Sequence, residues 1–161
     1  MLHLDLQRAK ELVNESIEAR GSDYTYEKQG GSCLYVHAEE VWDDDTERYV
    51  LNYDTAVAGC LVGDALKRGG IPLEAMGGEY NNDVDSNELL SKLSGRNMLT
   101  YTDSAAAFLS NAQTSQDKGA PWGAAVSAAA NGDTLEKVME HDTDGKFWNG
   151  EWYKVPGLIV E

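Results

Sequence analysis

The sequence predicts a single α+β domain that is mostly helical. Apolar residues recur at three- and four-residue spacing in several stretches, as on the buried faces of helices, while two short segments alternate around glycine-containing turns, as in β-hairpins. With 161 residues, 42% of them apolar, the chain is long enough to bury one sizeable core. No motif recurs at a fixed period, which argues against solenoids and propellers. We therefore expect one compact domain over residues 1–161.

The N-terminal part of the chain predicts a helix followed by a β-hairpin. Apolar positions on one face indicate a helix over residues 5–20, and Gly21 is placed to end it. Residues 24–37 alternate on both sides of Gly30-Gly31, which is typical of a hairpin.

Start and stop signals along the rest of the chain predict further helices. The first begins at Asp54 or Thr55, ends at Arg68, and has Gly69 as its expected left-handed terminator. The C-terminal extension, residues 131–161, contains Asn149-Gly150 between aromatic flanks, which predicts a second β-hairpin. The other expected segments are a single turn at 71–76, a helix from the Asp85/Glu88 capping box to Gly95, a helix from the Thr100/Asp103 capping box to Gly119, a helix from Pro121 to Asn131-Gly132, and a last helix over 134–141.

The chain is strongly acidic, with 28 Asp and Glu against 13 Lys and Arg, for a formal charge of −15. This charge repels phosphate backbones and anionic headgroups, so direct binding to nucleic acid or to a membrane surface is disfavoured. An acidic insert, residues 39–54, holds the densest run: residues 39–47 have six carboxylates in nine positions and predict an exposed loop. A short strand is expected over 48–53. Strong acidity has three interpretations: a solvated surface, an interface for a basic partner, or imitation of nucleic acid.

We expect the protein in a reducing cytoplasm. The sequence has two cysteines, no apolar segment of signal-peptide length and no stretch of membrane-spanning length. The paired glycines do not form a phosphate-binding fingerprint, and no serine stands in a nucleophile elbow, so we expect no cofactor. A Cys33-His37 zinc pair is disfavoured because an extended strand would separate the two side chains by roughly 13 Å.

The C-terminal extension also contains the spacing of a calcium-binding loop. We expect no metal, because Asn149-Gly150 predicts a hairpin where such a loop continues into a helix. Calcium is kept as a weak alternative, with the ligands Glu140, Asp142, Asp144 and Glu151.

Polar residues gather at the junction of the last two well-marked helices. The favoured interpretation is a helix–helix corner in which Gln113, Gln116 and Asp117 satisfy free backbone groups and the indole N–H of Trp122. The alternative is a small polar pocket walled by Trp122, and a nucleophilic pair of Cys60 with a histidine is a weaker possibility than a packed thiol. The candidate binding residues are Gln113, Gln116, Asp117, Trp122, Cys60 and His37.

Gly59 and Gly63 lie four residues apart in the predicted helix. Glycines at this spacing share one helical face, so we expect another backbone, that of the segment carrying Cys33, to approach them closely.

Several elements in the same order resemble a group of small proteins of unassigned activity from actinobacterial phages and their hosts. The resemblance covers roughly residues 4–130, a shared core that excludes the C-terminal extension, while the acidic insert is a departure within it. It implies a setting and no mechanism. The elements that carry it are Cys33-Leu34-Tyr35-Val36, Cys60-Leu61-Val62-Gly63, Pro72-Leu73-Glu74, Leu99-Thr100, Gln113, Gln116-Asp117, Gly119, Trp122-Gly123 and Ala125.

We therefore expect a non-enzymatic phage accessory protein in the cytoplasm of the infected host cell. Its partner would be a host or phage protein with a basic surface, bound through the acidic insert or the aromatic tail. The alternative is a small-molecule or nucleotide-binding protein, or an enzyme, with a pocket near Cys60, Gln116, Asp117 and Trp122. An acidic mimic of nucleic acid is a weaker alternative. The sequence does not indicate an oligomeric state.

Overall fold

A computed structural model of the chain describes residues 1–27, 33–78, 81–134 and 137. Within these ranges it is mostly helical with short paired strands, which confirms the α+β class. The helices are α1 (Leu6–Arg20), α2 (Leu61–Arg68), α3 (Leu73–Met76), α4 (Ser86–Gly95), α5 (Asp103–Asp117) and α6 (Trp122–Ala130). The strands are β1 (Leu2–Leu4), β2 (Val36–His37), β3 (Glu40–Asp43), β4 (Arg48–Leu51), β5 (Val57–Ala58) and β6 (Leu99–Tyr101).

The core lies between the helices. Helix α1 packs against α2, α5 and α6, and α5 also contacts α4. The apolar stripe predicted for α1 faces this core, and Asp5 caps the helix by accepting from the backbone N of Arg8 at 2.7 Å. Full burial of a leucine or larger side chain stabilises the fold by about 2 kcal/mol. The largest side chains in this core are Leu4, Leu12, Leu61, Leu66, Met76, Leu89, Leu90, Leu93, Leu99, Leu109 and Trp122.

Strands β1 and β6 form a parallel pair that local sequence signals did not predict. Leu2 lies opposite Leu99, and Leu4 lies opposite Tyr101. The predicted helix start at Thr100 is wrong, because Thr100 belongs to β6. Helix α5 is instead capped by Thr102, whose Oγ1 accepts from the backbone N of Ala105 at 3.2 Å.

The predicted pairing within residues 24–37 is wrong, because the described residues 24–27 form no strand. The other half of the segment pairs elsewhere: Val36 lies opposite Ala58 in the antiparallel pair β2–β5. An N-terminal β-hairpin is present, but β3 and β4 form it from the acidic insert. The prediction of an exposed loop over 39–47 is therefore wrong for residues 40–43, which form β3, and only residues 44–47 form the turn. Residues of high β propensity stand on both sides of this turn.

Helix α2 begins later than predicted, at Leu61, because residues 57–58 are held in β5. At its other end Gly69 has a φ of −75°, whereas Gly70 has a φ of +102°. The left-handed residue after the helix is therefore Gly70 and not Gly69.

A close approach of backbones at Gly59 and Gly63 is confirmed. The backbone N of Gly59 donates to the carbonyl of Tyr35 at 2.8 Å, and a Cβ placed on Gly63 would collide with that same carbonyl oxygen. The approaching chain is the segment after Cys33, as expected. The two glycines do not share a helical face, because Gly59 precedes α2.

Two predicted C-terminal features lie outside the described residues. They are the hairpin at Asn149-Gly150 and the calcium ligands Glu140, Asp142, Asp144 and Glu151; most of the helix expected over 134–141 lies outside them as well. Among the helices that the structure describes, none is both long and apolar enough to cross a membrane.

Candidate functional site

The polar corner predicted at the end of α5 caps another helix. Gln116 Oε1 accepts from the backbone N of Leu61 at 2.8 Å, and Gln113 Oε1 accepts from that of Val62 at 3.3 Å. These two N–H groups open α2 and have no partner within the helix. Cys60, the residue at the N-cap position, makes no side-chain capping bond. The two amides of α5 therefore take over a role that a Ser or Asp usually fills.

Asp117 orients both amides. Its Oδ1 accepts from the Nε2 of Gln113 at 3.1 Å and from the Nε2 of Gln116 at 2.7 Å, which turns both amide oxygens toward α2. The carboxylate also places a negative charge behind the positive end of the α2 dipole. The corner thus satisfies free backbone groups, as predicted. These groups are the first N–H groups of α2 and do not belong to the two helices that meet at the corner.

Cys60 is fully buried at the start of α2. Burial raises the pKa of its thiol to about 12, so the sulfur is protonated near neutral pH and is a poor nucleophile. The packed thiol is the interpretation that fits this environment.

His37 forms a pair with Tyr26 in a partly buried position. The His37 Nε2 lies 2.6 Å from the Tyr26 Oη, which also accepts from the backbone N of Leu34 at 2.7 Å. Burial raises the pKa of Tyr26 to about 12. Burial and then the charge of Arg20 lower the pKa of His37 below its usual 6.5, which favours a neutral ring hydrogen-bonded to the tyrosine hydroxyl.

Trp122 is buried at the start of α6. Its ring meets that of Tyr24 edge-on, with 4.7 Å between the centroids, and the Arg20 guanidinium lies 5.1 Å from its centre. The prediction that the corner satisfies the indole N–H is wrong: Trp122 Nε1 has no hydrogen-bond partner among the described residues. The side chain packs with aromatic and cationic neighbours instead.

Arg20 and Asp64 form a cluster that sequence reasoning missed. Arg20 Nη2 lies 3.0 Å from Asp64 Oδ2 and donates to the carbonyl of Ala58 at 2.7 Å. Asp64 also accepts from Ser16 Oγ at 2.7 Å and from Arg68 Nε at 2.5 Å. The spacing of Asp64 and Arg68 is a signal for an ion pair on one helix. Nothing local indicates Arg20, which comes from α1. We call Arg20, Tyr24, Trp122 and Asp64 the Arg20 cluster.

A partly open cavity of about 360 Å³ lies beside the end of α5. Of the predicted binding residues, Gln113 and Asp117 line it, whereas Cys60, Gln116 and Trp122 are buried elsewhere. The four residues named for the alternative pocket thus do not line one cavity in the described structure. The lining consists of Cys33, Tyr35, Asp83, Val84, Asp85, Ser86, Ser110, Gln113, Thr114 and Asp117. It contains three carboxylates and no basic side chain. In the described ranges, no group of three or more His, Cys, Asp or Glu residues is arranged to hold a metal.

The hairpin β3–β4 exposes a pair of large aromatic side chains. Trp42 lies opposite Tyr49 in the ladder, and their rings meet edge-on with 5.3 Å between the centroids. Trp42 is 53% exposed and Tyr49 is 66% exposed. Trp42 Nε1 donates to Asp44 Oδ1 at 2.9 Å, which fixes a carboxylate beside the indole. The hairpin surface is the name used below for Trp42, Tyr49, Glu40 and Asp44.

The turn of the hairpin is ordered by its own side chains. Asp43 accepts from the backbone N of Asp45 at 3.0 Å and from Thr46 Oγ1 at 2.8 Å, and these bonds lower the pKa of its carboxyl. Glu47 has a φ of +52°, in the left-handed region that favours glycine or asparagine. The turn thus holds a glutamate where a glycine would be less strained.

The six carboxylates of residues 39–47 form no ion pair among the residues that the structure describes. They are Glu39, Glu40, Asp43, Asp44, Asp45 and Glu47.

Comparison of the chain with family models, with curated proteins and with solved structures finds no match.

Proposed function

We propose that this protein acts without catalysis, by binding a protein partner that has a basic surface, and that the hairpin surface is where the partner docks. The observation that carries the proposal is the exposed Trp42–Tyr49 pair on a hairpin rich in carboxylates. Strands β3 and β4 pack chiefly against each other, so the rest of the fold makes little use of these rings. Exposed aromatic residues rimmed by polar groups are typical of interaction sites.

The charge around the rings supports a basic partner. Unpaired carboxylates at the turn steer cationic surfaces toward the hairpin and penalise acidic ones. Trp42 and Tyr49 would supply the apolar centre of the interface and the carboxylates its polar rim. The resemblance to proteins of actinobacterial phages adds a setting, in which the partner is a host or phage protein in the cytoplasm of the infected cell.

The test is affinity capture from an actinobacterial lysate followed by binding measurements with the purified partner. The wild type is compared with the double variant Trp42→Ala/Tyr49→Ala. The matched control is Val57→Ala, which removes a side chain that is 54% exposed outside the hairpin. We expect the wild type and the control to retain a basic partner that the double variant loses. Equal retention by all three proteins would remove the hairpin surface from the function.

A small-molecule site is the second candidate function, and the cavity beside α5 is the observation that favours it. Its three carboxylates disfavour phosphate-bearing ligands, so a ligand would be neutral or cationic. Thr114 is exposed on the rim, and Thr114→Trp would fill the opening with little effect on the core. Thermal shift against a panel of amines and nucleosides tests the site. A ligand that stabilises the wild type and not Thr114→Trp would support it, and no shift with any compound would end it.

A further inference from the structure

We propose that the hairpin surface recognises an arginine side chain of the partner; the inference rests on the proposed function. The Arg20 cluster supplies the geometric argument, because it contains the same groups inside the molecule together with the arginine that binds them. There the rings of Tyr24 and Trp122 meet at an interplanar angle of 75°. The Arg20 guanidinium lies 5.2 Å from the centre of Tyr24 and 5.1 Å from that of Trp122, with Asp64 at 3.0 Å.

The hairpin surface contains the same two ring types at the same interplanar angle, but its carboxylate bonds the indole N–H, whereas Asp64 pairs with Arg20. Trp42 and Tyr49 also meet at 75°, and Asp44 is held beside the indole by a hydrogen bond. Glu40 lies two residues before Trp42 on the same face of the strand, so a second carboxylate borders the rings. A guanidinium over these rings would find a carboxylate within reach, as Arg20 does.

The chain does not supply this cation from the hairpin itself. Arg48 is the basic residue of the two strands, and it lies opposite Asp43. Side chains alternate between the two faces of a strand, so Asp43 and Arg48 lie on the face opposite to Trp42 and Tyr49. Among the described residues, the cation–π contacts are those of Arg20 with Tyr24 and Trp122, and the proposal is that a partner's arginine takes the corresponding place over Trp42 and Tyr49.

The rings and carboxylates together favour arginine over lysine. A guanidinium is planar, so it can stack on an aromatic face while its N–H groups bond a carboxylate. A lysine ammonium is compact and strongly hydrated and satisfies both partners less well. Cations bind best over tryptophan, and both rings are more than half exposed.

The experiment compares two peptide probes, a nonamer of arginine and a nonamer of lysine, which carry equal charge. Their affinities for the wild type, Trp42→Ala and Val57→Ala are measured by fluorescence anisotropy at constant ionic strength, because salt screens the shared electrostatic attraction. We expect the arginine peptide to bind at least about threefold more tightly than the lysine peptide to the wild type and to Val57→Ala, consistent with a cation–π contact at an exposed site. Trp42→Ala should remove that preference.

The outcomes separate the two proposals. Equal affinity of the two peptides for the wild type would overturn the arginine inference, and so would a preference that persists in Trp42→Ala. Neither result would touch the proposed function if capture of the partner still requires Trp42 and Tyr49. A partner captured equally well by the double variant would overturn the proposed function and the arginine inference with it.

Discussion

The Arg20 cluster and the hairpin surface combine the same chemical groups and differ in what the chain does with them. Each contains a tryptophan and a tyrosine that meet at 75°, with a carboxylate nearby. In the Arg20 cluster, an arginine from α1 covers both rings, pairs with Asp64 and bonds the backbone ahead of α2. In the hairpin surface, no described arginine or lysine is recorded over the two rings. The first arrangement links α1 to Asp64 and to the backbone ahead of α2, whereas the rings of the second are exposed.

Burial makes the same distinction. Trp122 is fully buried, and its ring contacts Arg20 of α1 and Tyr24 in the segment that follows α1. Trp42 is 53% exposed and contacts its cross-strand neighbour. Substitutions in the body of the molecule should therefore change stability, while substitutions in the hairpin should change binding. The predictions below test this division, beginning with the largest expected effect.

Gly63→Leu should have the largest effect, because the carbonyl of Tyr35 occupies the space that a side chain would need. Backbone cannot move aside as a flexible side chain can, so we expect a loss of at least about 3 kcal/mol in the free energy of unfolding. Urea denaturation measures it. Gly95→Leu is the control, since a Cβ there meets nothing within 4 Å. Similar losses in both variants would contradict the close approach.

Arg20→Ala should break the Arg20 cluster. It leaves the buried Asp64 with a weaker set of partners and removes the bond to Ala58, so we expect a loss of about 3 kcal/mol, toward the lower end for a buried pair because Arg20 is 25% exposed. Arg8→Ala, which breaks the exposed Arg8–Glu11 pair, should lose about 0.5 kcal/mol or less. Thermal and chemical denaturation of the two variants side by side would decide it. If Arg20→Ala leaves the free energy of unfolding unchanged, the Arg20 cluster does not stabilise the fold and the comparison with the hairpin surface fails.

Gln116→Leu should leave the backbone N–H of Leu61 buried without its acceptor. An unsatisfied buried donor costs about 2 kcal/mol. The matched control is Gln7→Leu, because Gln7 is exposed and its side chain bonds another exposed side chain, that of Glu11. The midpoint of urea unfolding distinguishes them, and equal midpoints would mean that the amide does not support α2.

His37→Gln should change the pH dependence of stability. The pKa of His37 is lower in the folded chain than its usual 6.5, because the ring is buried and Arg20 lies nearby. The unfolded chain therefore takes up the proton first as pH falls, so the stability contributed by the neutral ring is present above pH 6.5 and is lost as pH falls through the folded-state pKa. Between pH 7 and 5 the wild type should lose more stability than His37→Gln. Parallel curves for His37→Gln and the wild type would contradict the shift.

Trp42→Ala should have the smallest effect on folding, about 0.5 kcal/mol or less, because the ring is largely exposed and the hairpin packs chiefly on itself. Circular dichroism during thermal unfolding measures it. A loss comparable to that of Arg20→Ala would show that the fold depends on the hairpin aromatics, and the contrast between the two regions would fail.

Local signals were sufficient for elements whose causes lie close together in the chain. Asp85 caps α4 through the N–H of Glu88, as the capping-box spacing predicted, and α1 and the short α3 lie where a helix and a single turn were expected. The hairpin was missed because its carboxylates suggested a solvated loop, although Val41 and Trp42 on one side and Tyr49 and Val50 on the other have strong β propensity.

The rest depends on contacts between distant parts of the chain. The sequence correctly indicated that Gln116 hydrogen-bonds a free backbone group. That group is the N–H of Leu61, which lies 55 residues away in the chain. The cavity beside α5 takes Asp83 and Asp85 from before α4 and Asp117 from the end of α5, which no spacing rule brings together. The resemblance to phage proteins, the partner and the nucleic-acid mimic stay predictions.

The pairing of β1 with β6 sets an order of events during synthesis. Leu2 and Leu99 are 97 residues apart, so at ribosomal rates β1 waits roughly 5 to 20 seconds before its partner strand exists. Helices α1 and α2, which are closer in the chain, can pack against each other in that interval. Until β6 emerges, Leu2 and Leu4 form an unpaired apolar edge that is open to chaperones and to mispairing with other nascent chains. Slowing translation between residues 70 and 99 would lengthen that exposure without changing a single side chain.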